Sequence, residues 1–92
     1  MLFRSLRIGL VNEVVPQAEL MAAAARWASE ILECSPLSVQ ASKQAALQGL
    51  ARPLAEAMAG DYPLVKKLWT SEDVVEGPRA FAEKRKPVWK GR

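Results

Sequence analysis

Apolar residues recur at intervals of three and four through most of this 92-residue chain, the spacing of a helix with one buried face. The first stripe lies within residues 17–33 and consists of Leu20, Ala24, Trp27 and Ile31. The alanine run Ala22–Ala25 adds high helix propensity to this stripe. The pattern therefore predicts an amphipathic helix over residues 17–33.

Serine, proline and glycine residues that favour helix ends predict two further helices. Ser35 is a good N-cap and Pro36 suits a first helical position, so the second helix is predicted over residues 36–50. The third is predicted over residues 54–70. Because Gly60 and Pro63 both lie inside it, we expect a kink or two separate pieces.

A fourth helix is predicted to begin near Ser71, with acidic residues in its first turn that favour the positive helix end. The pair Gly77-Pro78 predicts that this helix breaks and restarts, and Pro87 is expected to end it. Phe81 is expected to pack inward, and the apolar tail with Trp89 is expected to dock on the domain.

The start of the chain differs from the rest. Residues 10–15 are short, β-branched and flanked by Gly9 and Pro16, which favours an extended segment. We therefore predict an extended lead-in over residues 1–15 and a helical domain over residues 16–92. The predicted fold class is all-α, with three to four helices preceded by the extended segment.

Composition is that of an ordinary globular protein, since half the residues are apolar and a quarter are charged. The length fits one small domain. No run of about 18 apolar residues occurs, so no membrane span is expected. The single cysteine, Cys34, has no partner for an internal disulfide, which favours a reducing cytoplasm.

Several kinds of chemistry are excluded by residue type. The chain has no histidine, only one cysteine and five glycines isolated from one another. These counts predict no metal site, no glycine-rich phosphate loop and no cofactor of the chain's own. We also assign no catalytic residue.

Positive charge is concentrated at the C-terminus. Residues 79–92 carry six basic side chains against one acid, whereas the remainder of the chain is slightly acidic. Such a tail suggests a polyanionic ligand, either phosphate groups or nucleic acid. The alternative is a solvated helix end, where cations are favoured by the helix dipole.

Three sequence blocks resemble one family. Residues 71–89 read S-E-D-V-V-E-G-P-R-A-F-A-E-K-R-K-P-V-W, residues 8–16 read I-G-L-V-N-E-V-V-P, and Ser35-Pro36-Leu37 is followed by Ser42-Lys43. Their order and spacing are similar to those in the C-terminal region of the enoyl-CoA hydratase/isomerase (crotonase) family. The resemblance covers Ile8 to Trp89.

This resemblance implies a division of labour. The family's oxyanion hole and acidic catalytic residues precede the matched blocks, so none maps onto this chain, which alone is expected to be inactive as a hydratase or isomerase. The family's C-terminal helices build a trimer, often paired into a hexamer, and close over the CoA site of the neighbouring subunit. A homo-oligomer and an acyl-CoA substrate of the full-length protein are thereby implied.

Two CoA-binding residues are implied by the same resemblance. Lys84 corresponds to a lysine that reaches the CoA phosphates across the subunit boundary, and Val65 aligns with a ligand-contacting position that is aromatic in some members. A solvent-facing lysine without a ligand is the alternative for Lys84. The rival function is a freestanding helical module whose basic tail, with Trp89, binds nucleic acid.

Overall fold

The computed structural model describes residues 2–92 and is helical, with no strand in that range. In chain order the helices are α1 (Leu2–Arg7), a 3₁₀ turn (Gln17–Glu19), α2 (Leu20–Leu32), α3 (Pro36–Gly49), α4 (Leu54–Met58), α5 (Pro63–Trp69) and α6 (Asp73–Ala82). The all-helical fold class is confirmed. None of these helices is long and apolar enough to cross a membrane.

The number of helices exceeds the prediction for two reasons. The predicted third helix is divided into α4 and α5, as Gly60 and Pro63 indicated. In addition, Leu2–Arg7 form α1, although an extended lead-in was predicted over residues 1–15. Met1 lies outside the described residues. Residues 10–16 are non-helical, so the extended segment is restricted to the second half of that range.

The chain divides into two compact units, and the first ends at Glu30. Within it, the non-helical segment is joined to α2 by the carboxylate of Glu13. This carboxylate accepts a hydrogen bond of 2.7 Å from the indole Nε1 of Trp27 and pairs with Arg26. The hydrogen bond from Trp27, followed by that from Arg26, lowers the pKa of Glu13.

The second unit, residues 31–92, is built around α3. Ser35 caps this helix by accepting a hydrogen bond from the Ser38 amide, and Pro36 occupies its first turn. The buried apolar residues of the whole described chain all lie in this unit, and they are Leu37, Ala41, Tyr62 and Ala80. The core is therefore small.

Tyr62 fixes the connection between α3 and α5. Its hydroxyl donates a 2.7 Å hydrogen bond to the carbonyl of Ala57. A β-carbon at Gly60 would lie 2.7 Å from the Tyr62 ring, so only glycine allows this approach. The side-chain oxygen of Gln44 accepts from the Leu64 amide at 2.9 Å and thereby caps α5.

Three predictions for the last helix are wrong. It ends at Ala82 and not at Pro87. α6 runs without a break through Gly77 and Pro78. Glycine before proline lacks the β-carbon that would clash with the proline ring, which reduces the usual penalty against helix at that position. Phe81 does not pack inward, since it is 87% exposed. Trp89 does dock, because it is half-buried and donates a 2.8 Å hydrogen bond to the carbonyl of Glu33.

Candidate functional site

Lys84 lies in the turn that ends α6, and its backbone adopts a left-handed conformation with φ of 53°. Its amide bonds to the carbonyl of Phe81 at 3.2 Å, and the amide of Arg85 bonds to the carbonyl of Ala80 at 3.0 Å. These two bonds define a Schellman motif, in which the left-handed position is usually glycine. Here a lysine occupies it.

The guanidinium of Arg85 lies between two carboxylates. It donates to both oxygens of Glu76, at 2.6 and 3.0 Å, and its Nε donates to Glu83 at 2.5 Å. A fourth bond of 3.2 Å reaches the carbonyl of Lys86. Bidentate pairs of this kind are charge-assisted and geometrically specific.

The signature carboxylates also hold the C-terminal tail, residues 87–92. Asp73 is buried and accepts hydrogen bonds from the amides of Lys90 at 2.8 Å and Gly91 at 3.1 Å. The hydroxyl of Ser35 donates to the same carboxylate at 3.0 Å, which links α6 to the N-cap of α3. Asp73 therefore fastens both the tail and a neighbouring helix.

Glu72 and Glu76 complete this attachment. The amide of Val88 donates to Glu76 at 2.8 Å, and the ammonium of Lys90 pairs with Glu72 at 2.6 Å. The backbone of Glu72 donates to the carbonyl of Arg92 at 2.8 Å. Most of these contacts use backbone groups of the tail. They therefore fix the path of the tail but place little restriction on its side chains.

These contacts change the acidity of the carboxylates. The Arg85 guanidinium, followed by the Val88 amide, lowers the pKa of Glu76 from its ordinary 4.5 to about 2. Burial of Asp73 opposes ionisation, but hydrogen bonds from Lys90, Ser35 and Gly91 outweigh it, and the pKa of Asp73 is lowered. The pKa of Glu72 is lowered chiefly by Lys90. All three carboxylates are therefore ionised at neutral pH.

Lys84 and Val65, the two predicted CoA-contacting residues, lie on different elements. Lys84 is exposed, and its ammonium makes no hydrogen bond or ion pair within residues 2–92. Val65 is half-buried on α5. The structure thus presents Lys84 to solvent as a cation without a partner in the described chain.

Most other cations near the C-terminus are paired. Arg85 bonds to Glu76 and Glu83, while Lys90 and Arg92 both pair with Glu72, the latter at 3.3 Å. Lys86 lies 3.6 Å from Glu33. The basic side chains within residues 85–92 are therefore paired with carboxylates of the same chain.

Open clefts flank the tail, and two of them differ in character. One of 270 Å³ lies beside α6 and is lined mainly by charged side chains, among them Glu72, Arg79 and Lys90. The other, of 430 Å³, is mostly apolar and is lined by residues that include Ile31, Val39 and Trp89. No group of three potential metal ligands occurs among the described residues.

Sequence patterns alone do not reveal the structural roles of Asp73, Glu76 and Arg85. Asp73 and Glu76 were interpreted as residues that favour a helix start, and Arg85 as part of a basic tail. A signal was available for Glu76, because its partners Arg85 and Val88 lie in the same contiguous signature. The partners of Asp73 lie outside that signature. Sequence spacing alone does not show that residues 87–92 turn back along α6.

Comparison with known proteins identifies the relatives of this chain. The family model described as enoyl-CoA hydratase/isomerase matches residues 4–92. Carnitinyl-CoA dehydratase of Escherichia coli K12 is 44% identical over 95 residues, covering 96% of this chain and 35% of the relative. The protein of the same name from Salmonella typhi is 42% identical with the same coverage.

Solved structures agree with the sequence relatives. An enoyl-CoA hydratase/isomerase from Mycobacterium paratuberculosis superposes with a TM-score of 0.90 at 37% identity, covering 97% of this chain and 35% of that one. Enoyl-CoA hydratase from Mycobacterium tuberculosis superposes with a TM-score of 0.88 at 31% identity and the same coverage. The chain therefore spans about 35% of the length of the relatives it matches.

Proposed function

We infer the function of this chain from the premise that it belongs to the enoyl-CoA hydratase/isomerase family. We propose that it acts as the C-terminal segment of a protein of acyl-CoA metabolism. In this role it contributes subunit assembly and part of the CoA contact, and it supplies no catalytic residue. The names of its relatives suggest an acyl-CoA thioester as the substrate of the full-length protein. The cytoplasm is the compartment that we expect from the single cysteine.

The observation that carries this proposal is the imbalance between core and surface. Four apolar residues within residues 2–92 are buried, whereas large apolar side chains such as Leu50, Trp69 and Phe81 are 70–87% exposed. Exposed apolar surface of this kind marks interaction sites in soluble proteins. We expect it to be covered by the rest of the parent protein and by neighbouring subunits in a trimer or hexamer.

The CoA contact is assigned to Lys84 and Val65. An exposed ammonium without a partner in the described chain can approach a phosphate at no cost in broken ion pairs. Val65 can offer an apolar contact but not the stacking surface of an aromatic residue. Both would act on the CoA held by the neighbouring subunit.

The absence of catalytic residues is supported by the state of the carboxylates. A general base works best when its pKa is near the working pH. Glu76, with a pKa of about 2 and a bidentate arginine partner, is poorly suited to accept a proton. Asp73 is buried and fully engaged by amides and a hydroxyl.

The rival function, nucleic-acid binding through the basic tail, has less support. Affinity for nucleic acid depends on cations that are free to replace counterions on phosphates. Arg85 is instead paired with Glu76, and Lys90 and Arg92 are paired with Glu72. Gel-shift titrations at two salt concentrations should show no tight, salt-dependent binding.

A chimaera tests the CoA contact. Residues 4–92 replace the matched region of the E. coli carnitinyl-CoA dehydratase, and Lys84→Ala is compared with the unmodified chimaera. We expect KM to rise several-fold with kcat little changed, because contacts to the remote phosphates are equal in ground and transition states. An exposed lysine–phosphate contact contributes on the order of 1 kcal/mol.

Lys43→Ala is the matched control, since Lys43 is an exposed lysine on α3 outside the C-terminal turn. Its KM should equal that of the unmodified chimaera. An unchanged KM in Lys84→Ala would make Lys84 an ordinary surface residue. The 92-residue chain alone should show no hydratase activity, and tight CoA binding by it in calorimetry would contradict the proposal.

A further inference from the structure

The backbone of Lys84 requires an explanation. It is the only non-glycine residue among the described residues with positive φ. A β-carbon is disfavoured in this region, so such residues persist where their surroundings impose the conformation. The residue that follows it, Arg85, is held by neighbouring carboxylates.

Arg85 closes the Schellman motif through its amide, and its side chain is held by four hydrogen bonds. Two of these bonds go to Glu76, which accepts a bidentate pair and lies within α6, six residues before its end. Glu76 is also well shielded, with a side chain 17% exposed. Movement of Arg85 away from the helix would break these bonds and open the turn.

We propose that Glu76 is a positioning residue for the Lys84 ammonium and acts through Arg85. Its bidentate bond to Arg85 holds the turn in the left-handed form that directs Lys84 away from the helix. The inference rests on the proposed function, because it assigns the held ammonium to CoA phosphates.

The charge arrangement supports this role. Arg85 is neutralised by Glu76 and Glu83, so it does not offer a second free cation beside Lys84. The turn therefore presents one unpaired ammonium at a fixed backbone position. A single point charge of this kind suits a phosphate, because the phosphate oxygens accept hydrogen bonds from many directions.

Glu76 also binds the Val88 amide, so a tail-anchoring role must be separated from a positioning role. Glu72 provides the matched control. It holds the tail through Lys90 and Arg92 but touches neither Arg85 nor Lys84. Glu72→Gln therefore loosens the tail and leaves the turn intact.

The experiment is a double-mutant cycle in the chimaera described above. Glu76→Gln should raise KM about two- to four-fold with kcat little changed, and Glu72→Gln should leave KM unaltered. In the Lys84→Ala background, Glu76→Gln should add nothing. Arg85→Lys, which cannot form the bidentate fork, should reproduce the effect of Glu76→Gln without removing a charge.

A second measurement reads the turn directly. In the 92-residue chain, the backbone scalar coupling of Lys84 should depart from its left-handed value in Glu76→Gln and in Arg85→Lys. Glu72→Gln should leave this coupling unchanged. This reading does not depend on CoA binding.

The outcomes separate the two proposals. If Lys84→Ala raises KM but Glu76→Gln does not, or raises it equally in the Lys84→Ala background, positioning by Glu76 is overturned and the CoA contact stands. If Lys84→Ala leaves KM unchanged, the CoA contact itself is overturned. An unchanged Lys84 coupling in both Glu76→Gln and Arg85→Lys also overturns the positioning role.

Discussion

At the residue scale, Lys84 combines an exposed charge with a backbone conformation that glycine adopts more easily. Lys84→Gly should therefore raise the free energy of unfolding by about 0.5–1 kcal/mol, since relief of the left-handed strain exceeds the extra entropy that glycine loses on folding. Urea denaturation of the 92-residue chain measures this change.

The control for that substitution is Lys86→Gly, two residues further on, where φ is not positive. There glycine should lower the stability, because it adds flexibility to the unfolded chain and removes the exposed Lys86–Glu33 pair. A fall in stability with Lys84→Gly would show that the lysine side chain itself stabilises the turn.

Gly77 shows why the structural role of a residue cannot be inferred from its sequence neighbours alone. Next to Pro78 it predicted a helix break, yet α6 continues through it. A β-carbon there would lie 3.3 Å from the ring of Trp89, twelve positions away. The glycine therefore provides room for the tail, and no local pattern reveals that contact.

At the scale of elements, α6 and the tail form one unit joined by carboxylates. Glu76 and Asp73 both have a lower pKa in the folded chain than in the unfolded one. Such groups contribute stability above their unfolded pKa, and this contribution is lost as pH falls towards the folded pKa. For Glu76 the window runs from its ordinary 4.5 down to about 2.

We therefore expect the tail to detach progressively as the pH falls through this window. The charged groups that face the two carboxylates are Arg85 and Arg79 beside Glu76, and Glu76 itself beside Asp73. The indole N–H signal of Trp89, bonded to Glu33 in the native chain, reports release in NMR spectra. Glu76→Gln should weaken the acid transition, and a tail that stays docked at pH near 2 would contradict the expectation.

The helices with a clear apolar period were predicted closely. Residues 17–33 and 36–50 correspond to the 3₁₀ turn with α2 and to α3. The helix Leu2–Arg7 was missed because it is short and buries no residue, so its sequence shows no clear apolar period. The roles of Lys84 and Val65 came from the family resemblance, and their CoA contact remains a prediction.

At the scale of the whole molecule, the apolar stripes indicate which faces are covered but not by what. Leu50, Trp69 and Phe81 fit helical patterns, yet they remain exposed in this chain. We expect the assembly proposed above to cover them, but the exposed residues themselves do not identify what covers them. The fold class was therefore predictable from the helical pattern, whereas the exposed position of Phe81 was not.

The isolated chain should consequently self-associate. Its circular dichroism should be mainly α-helical, and sedimentation should show oligomers whose population rises with concentration at about tens of micromolar. Phe81→Ser should shift this equilibrium towards monomer without loss of helix, because Phe81 is 87% exposed. Leu37→Ala, at a buried position, should instead lower the free energy of unfolding by about 2–5 kcal/mol. A clean monomer over this concentration range would mean that the exposed apolar residues do not form an assembly surface in the isolated chain.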